Sequence, residues 1–267
     1  MPEVNDEFNH TQRSDYDDLR GKTAVVTGSS SGIGEAISRQ LATAGAAVYI
    51  HGHRHQESVE RVSGEIRAIG RESAFCLADL AHPPSVDAFA ERAWEWRDGV
   101  DIWINNAGAD VLTGTAADWP FEKKLDQLWK VDVLASIRLS RIIGQRMKNK
   151  ETQPGSVILN IGWDQAAFGM GGDSGEMFAA SKGAVMAFSR SLAKSLAPDV
   201  RVNCLAPGWI KTAWGDEASE YWQQRAKSES LVNRWGSPDD VARAALFLVS
   251  PASAFISGQV LPVNGGR

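Results

Sequence analysis

The run TAVVTGSSSGIGEAISRQLATAG at residues 23–45 constrains the fold more than any other stretch. A short β-rich segment leads into three glycines, Gly28, Gly32 and Gly34, and a helical pattern begins near Ile33. Glycines let such a turn close and let backbone amides approach an anion at the positive helix N-terminus. The spacing is G-x-x-x-G-x-G rather than the G-x-G-x-x-G of most dinucleotide folds. Set between a strand and a helix, it predicts a pyrophosphate cradle formed by Gly28, Ser30, Ser31, Gly32, Ile33 and Gly34.

The rest of the chain repeats the alternation. Further strands are predicted over 47–51, 73–77, 101–104, 156–161, 200–204 and 259–263, all short apolar runs of the kind buried on both faces. Helical patterns lie between them. In 56–69, Val59, Val62, Ile66 and Ile69 share one face, and Gly70 stops the segment. Strands alternating with helices imply right-handed crossovers. The predicted fold is α/β, a single-domain Rossmann-type doubly wound parallel sheet over residues 21–267. Residues 1–20 are acidic and polar and read as a separate N-terminal arm.

Composition removes several function classes. A chain of 267 residues suits one large α/β domain. A net charge of −5 offers no basic face, so no nucleic-acid partner is expected. No run approaches the roughly 18 apolar residues of a membrane span. The opening MPEVNDEFNH lacks the pattern of an export signal, so a cytoplasmic protein without a membrane partner is expected. Cys76 and Cys204 read as two buried, reduced thiols. The H-x-H-x-H run at 51–55 is not read as a metal site; for each of His51, His53 and His55 the alternative to a role at the cofactor is a solvated turn.

Further motifs follow in chain order: Asp79-Leu80, Asn105-Asn106-Ala107-Gly108, Ser181-Lys182, Pro207-Gly208 and Asn264-Gly265-Gly266. Together with TGSSSGIG at 27–34, they resemble the short-chain dehydrogenase/reductase family over residues 21–267. The resemblance implies a nicotinamide dinucleotide cofactor. It implies that Asp79, beside Leu80, contacts the adenine, and that Asn106, Ala107 and Gly108 support the sheet beneath the cofactor. Pro207, Gly208 and Ile210 would run along the nicotinamide, and Thr212 would hold its carboxamide or phosphates. It also implies a homotetramer or homodimer, formed through the middle helix and through residues 239–263.

The second strand ends in HGHRH, with no carboxylate before Glu57. An acidic residue there would bond a ribose 2′-hydroxyl. Arg54 and His53 would instead attract a 2′-phosphate, so the expected cofactor is NADP(H).

The family's chemistry uses a tyrosine and a lysine four residues apart on one helix face, a serine at the preceding strand end and an asparagine in the middle helix. Lys182 is kept here. Phe178 stands at the tyrosine position, Trp163 at the serine position and Asp132 at the asparagine position. A phenyl ring moves no proton. Asp132 shares a helical stripe with Leu125, Leu128, Ala135 and Leu139, which turns its carboxylate to the core. A buried charge needs a partner, and Lys182 is the one expected. Asp164, just past the strand at 156–161 and next to Trp163, is the expected replacement acid, because shielding from water would raise its pKa. Asp173 and Glu176 are weaker substitutes. Tyr221 and Arg225 repeat the i, i+4 Tyr–cation spacing, while Tyr16 and Tyr49 lie in the arm and the second strand.

Trp163, Trp209, Trp214 and Trp222 on the substrate side suit a flat or apolar small molecule. The expected function is NADP(H)-dependent hydride transfer to or from a small carbonyl or imine, with Lys182, Asp164 and Asp132 as its catalytic residues. One alternative is a catalytically inactive NADP(H)-binding protein or sensor. Another is a non-redox lyase or isomerase that uses the Asp132–Lys182 or Asp164 region as a base.

Overall fold

The structure, a computed structural model, describes residues 18–149, 155–213, 215 and 218–266. Seven strands form one sheet: β1 (Thr23–Val26), β2 (Ala47–Gly52), β3 (Ser73–Leu77), β4 (Ile102–Asn105), β5 (Ser156–Ile161), β6 (Val200–Pro207) and β7 (Val260–Val263). Their order is β3-β2-β1-β4-β5-β6-β7, and every pairing is parallel. The order reverses between β1 and β4, which opens a crevice at the carboxyl ends of those strands. β6 runs three residues beyond the predicted strand because Cys204–Pro207 pairs with Val260–Val263.

Strand residues alternate between two cores. Ala24, Val26, Ile102, Ile104, Val157 and Leu159 face α1 (Gly32–Thr43) and α2 (Gln56–Ala68), together with the later helix Pro238–Val249. Val25, Trp103 and Ile158 face α3 (Pro83–Glu95), α5 (Ala135–Lys148) and α6 (Asp173–Leu196). A period of two with both faces covered explains why the strands read as unbroken apolar runs. The last two helices are α7 (Glu220–Ser228) and α8 (Pro238–Val249).

The structure corrects three expectations. Of the predicted arm, residues 1–17 lie outside the described residues, but Leu19 is fully buried in the first core and donates its N–H to the Ala44 carbonyl. The folded body therefore includes residues assigned to the arm. Cys204 is buried, whereas Cys76 is half-buried. The middle helix is not regular: α4 (Phe121–Leu128) passes through a π-helical turn, Trp129–Leu134, before α5. Such turns add a residue to the helical repeat and gather at functional sites; Asp132 sits inside this one.

Candidate active site

Two adjoining cavities occupy the carboxyl edge of the sheet. A groove of about 800 Å³ lies over β1, β2 and β4. Its walls include Gly28, Ser30 and Ser31 of the glycine-rich turn, His53 and Arg54 after β2, and Asp79 and Leu80 after β3. Asn106, Ala107 and Gly108 complete its floor. Asn106 also lines the second cavity, of about 530 Å³, where Ile33, Lys182, Pro207, Gly208, Ile210 and Thr212 form one side. Of the residues expected to hold a cofactor, only Gly32 and Gly34 line neither cavity.

Gly32 is fixed by its backbone, with φ +58°, and Gly34 by packing. Gly32 opens α1, and a Cβ at Gly34 would stand 2.2 Å from the Gly28 carbonyl oxygen. Gly28 has φ +62°, and a Cβ there would stand 2.7 Å from Ala107 Cα. The turn is thus closed onto the β4 end in a way side chains would prevent. Asn106 locks it: its Nδ2 donates to the Thr27 and Gly28 carbonyls at 3.0 and 2.9 Å, and the Thr27 hydroxyl accepts the Asn106 and Ala107 amides. Beneath it, buried Asn105 donates to Asn160 and Ser140, both at 2.8 Å, and Asn160 donates to Ser189.

His51 departs from the solvated-turn reading. It is 2% exposed, its Nδ1 accepts the Gly28 amide at 3.0 Å, and its Nε2 meets the Ala78 carbonyl at 3.1 Å. Burial pushes its pKa down to about 4. His53 and Arg54 are exposed, and His53 Nε2 lies 3.8 Å from Asp79 Oδ1.

The structure brings Lys182 and Asp132 together. Lys182 Nζ is 3.0 Å from Asp132 Oδ1 and donates to the Ile161 carbonyl at 3.4 Å. Asp132 is 1% exposed, and its Oδ2 accepts the Ala109 amide at 2.8 Å. The pair therefore ties the π-turn, α6 and, through Ala109, the chain just past β4 into one unit.

The placement of Asp164 corrects its assignment as the replacement acid. Its residue is 5% exposed, it is not part of the cavity wall, and its Oδ2 accepts from Asn264 Nδ2 at 3.1 Å. It binds the end of β7 to the β5 loop instead of facing a substrate. Asp173 and Glu176 are exposed and also off the wall. Tyr49 is buried against Phe89 and Trp96, and Tyr221 is 64% exposed and outside the cavity. Tyr16 and Trp214 lie outside the described residues.

Aromatic rings form the far side of the smaller cavity. Trp163 meets Phe178 edge-on at 6.1 Å, and Trp209 packs on Trp222 at 5.4 Å. Glu229, which sequence reasoning missed, braces this wall. It accepts from Trp209 Nε1 at 2.8 Å, Gln165 Nε2 at 3.2 Å and Arg225 Nε at 2.7 Å. The Arg225 guanidinium lies over both tryptophan rings, 5.7 and 5.1 Å from their centroids. The Arg225–Glu229 spacing was visible in the sequence, but its link to Trp209 was not. Ser174 was also missed; it is half-buried on the cavity wall, one helical turn before Phe178 and two before Lys182.

Among the described residues no group of three or more His, Cys, Asp or Glu side chains could hold a metal ion. No helix among them is long and apolar enough to cross a membrane.

Comparison with known proteins accords with this geometry. A family profile described as Enoyl-(Acyl carrier protein) reductase matches residues 28–267. Nodulation protein G of Rhizobium sp. (strain N33) is 34% identical over 255 residues, covering 93% of this chain and 98% of the relative. A 7α-hydroxysteroid dehydrogenase solved with NADH and 7-oxo glycochenodeoxycholic acid superposes with a TM-score of 0.85 at 32% identity, covering 95% of this chain and 96% of that one. A short chain dehydrogenase from Burkholderia cenocepacia J2315 in complex with NADP gives a TM-score of 0.80 at 32% identity, covering 93% and 98%. The nucleotide groove, the retained lysine and these matches together place the chain in the short-chain dehydrogenase/reductase family.

Proposed function

We propose that this protein is an NADP(H)-dependent oxidoreductase that transfers hydride to or from a small apolar or aromatic carbonyl or imine without a tyrosine acid. The observation that carries the reading is the junction of the long groove, through Asn106, with an aromatic cavity that contains Lys182. The fit of the cofactor rests on the cradle at Gly28 and Gly34, which Cβ atoms would fill, and on Arg54, a cation on the groove wall just past the end of β2. The NADP bound in the Burkholderia enzyme and the NADH bound in the steroid dehydrogenase support a nicotinamide cofactor.

When bound, the nicotinamide would supply or accept the hydride. Gly28, Ser30, Ser31 and Ile33 would hold the phosphates, and Pro207, Gly208, Ile210 and Thr212 would flank the ring. Lys182 is the one ionisable side chain on the cavity wall among the described residues. Its ammonium has three N–H donors, two of which serve Asp132 and the Ile161 carbonyl. The third is available to a substrate oxygen or nitrogen and stabilises the negative charge that develops there. The Asp132 carboxylate positions Lys182 and balances its charge. Trp163, Phe178, Trp209 and Trp222 exclude water and orient a flat substrate. Loss of a general acid costs about 10²–10⁴ in rate, so substrates needing little oxygen protonation, such as iminium ions, are favoured. A nucleotide-binding protein without turnover is the second reading; the absence of any ionisable wall residue besides Lys182, among those described, favours it. Self-association as a homodimer or homotetramer is the third element of the proposal, supported by exposed Phe247 on the last helix, Phe255 in the connection that follows and Leu261 on the last strand.

Calorimetric titration with NADPH and NADH tests the cofactor, and a screen of aryl ketones and cyclic imines for NADPH oxidation tests turnover. Micromolar NADPH binding that falls about 10- to 100-fold in Arg54→Glu, the worth of a charge-assisted hydrogen bond, with NADH unaffected, is expected. Binding without turnover of any substrate would shift the conclusion to the sensor, and no binding of either nucleotide would end both readings.

A further inference from the structure

We propose that His51 is a positioning residue of the nucleotide site: as a neutral imidazole protonated at Nε2, it fixes the first amide of the glycine-rich turn. The inference rests on the reading that the groove takes a nicotinamide dinucleotide. His51 belongs to β2, yet its ring reaches across to β1. It packs against Phe89 with centroids 4.7 Å apart and is almost wholly buried.

Both ring nitrogens have partners that admit one role only. A backbone amide donates, so Nδ1 must be the acceptor towards Gly28. A carbonyl accepts, so Nε2 must carry the proton towards Ala78. The two requirements agree on a single tautomer. An imidazolium would set an Nδ1–H against the Gly28 N–H, two donors face to face. The titratable and charged groups near the mouth are His53, Asp79, His82 and Arg92, which line a cavity with Ala78 on its rim. None of them bonds the His51 ring, and burial holds the pKa near 4, so the ring is neutral where the protein is folded at ordinary pH.

The consequence falls on Gly28. Its carbonyl accepts from Asn106 Nδ2 at 2.9 Å, and its amide donates to His51 at 3.0 Å. Both polar groups of this residue are therefore held by side chains from β2 and from the β4 end. The next residue is held as well: the Ser29 amide donates to the His51 carbonyl at 2.9 Å, and the His51 amide donates to the Ser29 hydroxyl at 3.0 Å. The turn that would receive the pyrophosphate is thus fixed before any nucleotide arrives, and preorganisation of this kind strengthens binding.

Three substitutions separate the two bonds. His51→Asn places an amide oxygen near the position of Nδ1 and retains the acceptor for Gly28. His51→Gln places an amide nitrogen near the position of Nε2 and retains the link to Ala78. His51→Leu retains neither. NADPH affinity is measured by calorimetry at pH 7.5 on the full chain, with thermal melting by circular dichroism to verify folding. His51→Asn is expected within about twofold of wild type, and His51→Gln and His51→Leu about tenfold weaker, the worth of one buried hydrogen bond. In wild-type protein, 15N chemical shifts of the ring are expected to show the Nε2-protonated tautomer unchanged from pH 7.5 to pH 5. Equal affinity in all four proteins overturns the proposal. So does a loss in His51→Asn as large as in His51→Leu, which would make the ring a packing element only, or an Nδ1-protonated tautomer. Wild-type protein that binds no NADPH overturns the cofactor reading itself, and the ring shifts still report the tautomer independently.

Discussion

The pairing of Lys182 with Asp132 gives the sharpest quantitative test of this site. The two charges are 3.0 Å apart, with side chains 13% and 1% exposed. At an effective dielectric constant of about 20, their attraction is about 5 kcal/mol. Removing both ions from water offsets most of that gain, so the pair is close to neutral for stability as a unit. Removing one member is different, because the other is left buried and uncompensated, at about 3–5 kcal/mol. Asp132→Asn isolates the charge, since the amide oxygen can still accept the Ala109 N–H now bound at 2.8 Å. Lys182→Met removes the ammonium and retains a chain of similar length. Urea unfolding at pH 7 and fixed salt is measured for the wild type, both single variants and the double variant. Each single substitution is expected to lose about 3 kcal/mol, and the double to lose no more than about 2 kcal/mol, a coupling of about 4 kcal/mol. In a chain of this size each single variant should melt roughly 10 °C lower. If the single losses sum to the double within about 0.5 kcal/mol, the sites are independent and the pairing argument is wrong.

Three further outcomes follow from the geometry. The folded pKa of His51, about 4, lies below its ordinary 6.5. The unfolded chain therefore takes up this proton first as pH falls. Stability contributed by the neutral ring is complete above pH 6.5 and declines by about 1.4 kcal/mol per unit below it, a total loss of about 3 kcal/mol by pH 4; His51→Asn should flatten this part of the urea-unfolding profile between pH 7 and 5, and an unaltered slope would contradict the buried neutral ring. Gly34→Ala should reduce NADPH affinity at least about tenfold and lower the melting temperature, although alanine favours a helix, because its Cβ would lie 2.2 Å from the Gly28 carbonyl oxygen. Glu229→Ala should raise the KM for aryl ketones about tenfold by freeing the Trp209 ring from its 2.8 Å bond, while NADPH affinity stays unchanged; matching losses in both would show that the brace supports the whole fold and not the substrate wall.

Much of this architecture was legible in the chain because it depends on short-range pattern. Each strand is a contiguous apolar run, and each turn that meets the groove is carried by residues adjacent in sequence, from TGSSSGIG to Pro207-Gly208. Backbone geometry then brings them to one edge of the sheet, whatever the neighbouring side chains are. The Asp132–Lys182 contact was legible for a related reason: a carboxylate on an apolar stripe has few places to go except towards a cation. The route differed from a regular helix, because the π-turn at Trp129–Leu134 changes the register and leaves no mark in the apolar spacing.

What the tertiary structure alone decided was the direction of side chains at strand ends. Asp164 follows β5 next to Trp163, and from sequence either residue could face the cavity. The ring faces it, and the carboxylate is drawn to Asn264, 100 residues away in the chain. His51 lies one residue from the end of its strand, where solvent and core are equally accessible to the pattern, and it is turned inward by the amide of Gly28 and the carbonyl of Ala78. Glu229 is assigned to Trp209 in the same way, by a donor from another segment. A buried polar group goes where its hydrogen bonds can be completed, and those partners are set by the packing of distant elements, which no local reading of the chain contains.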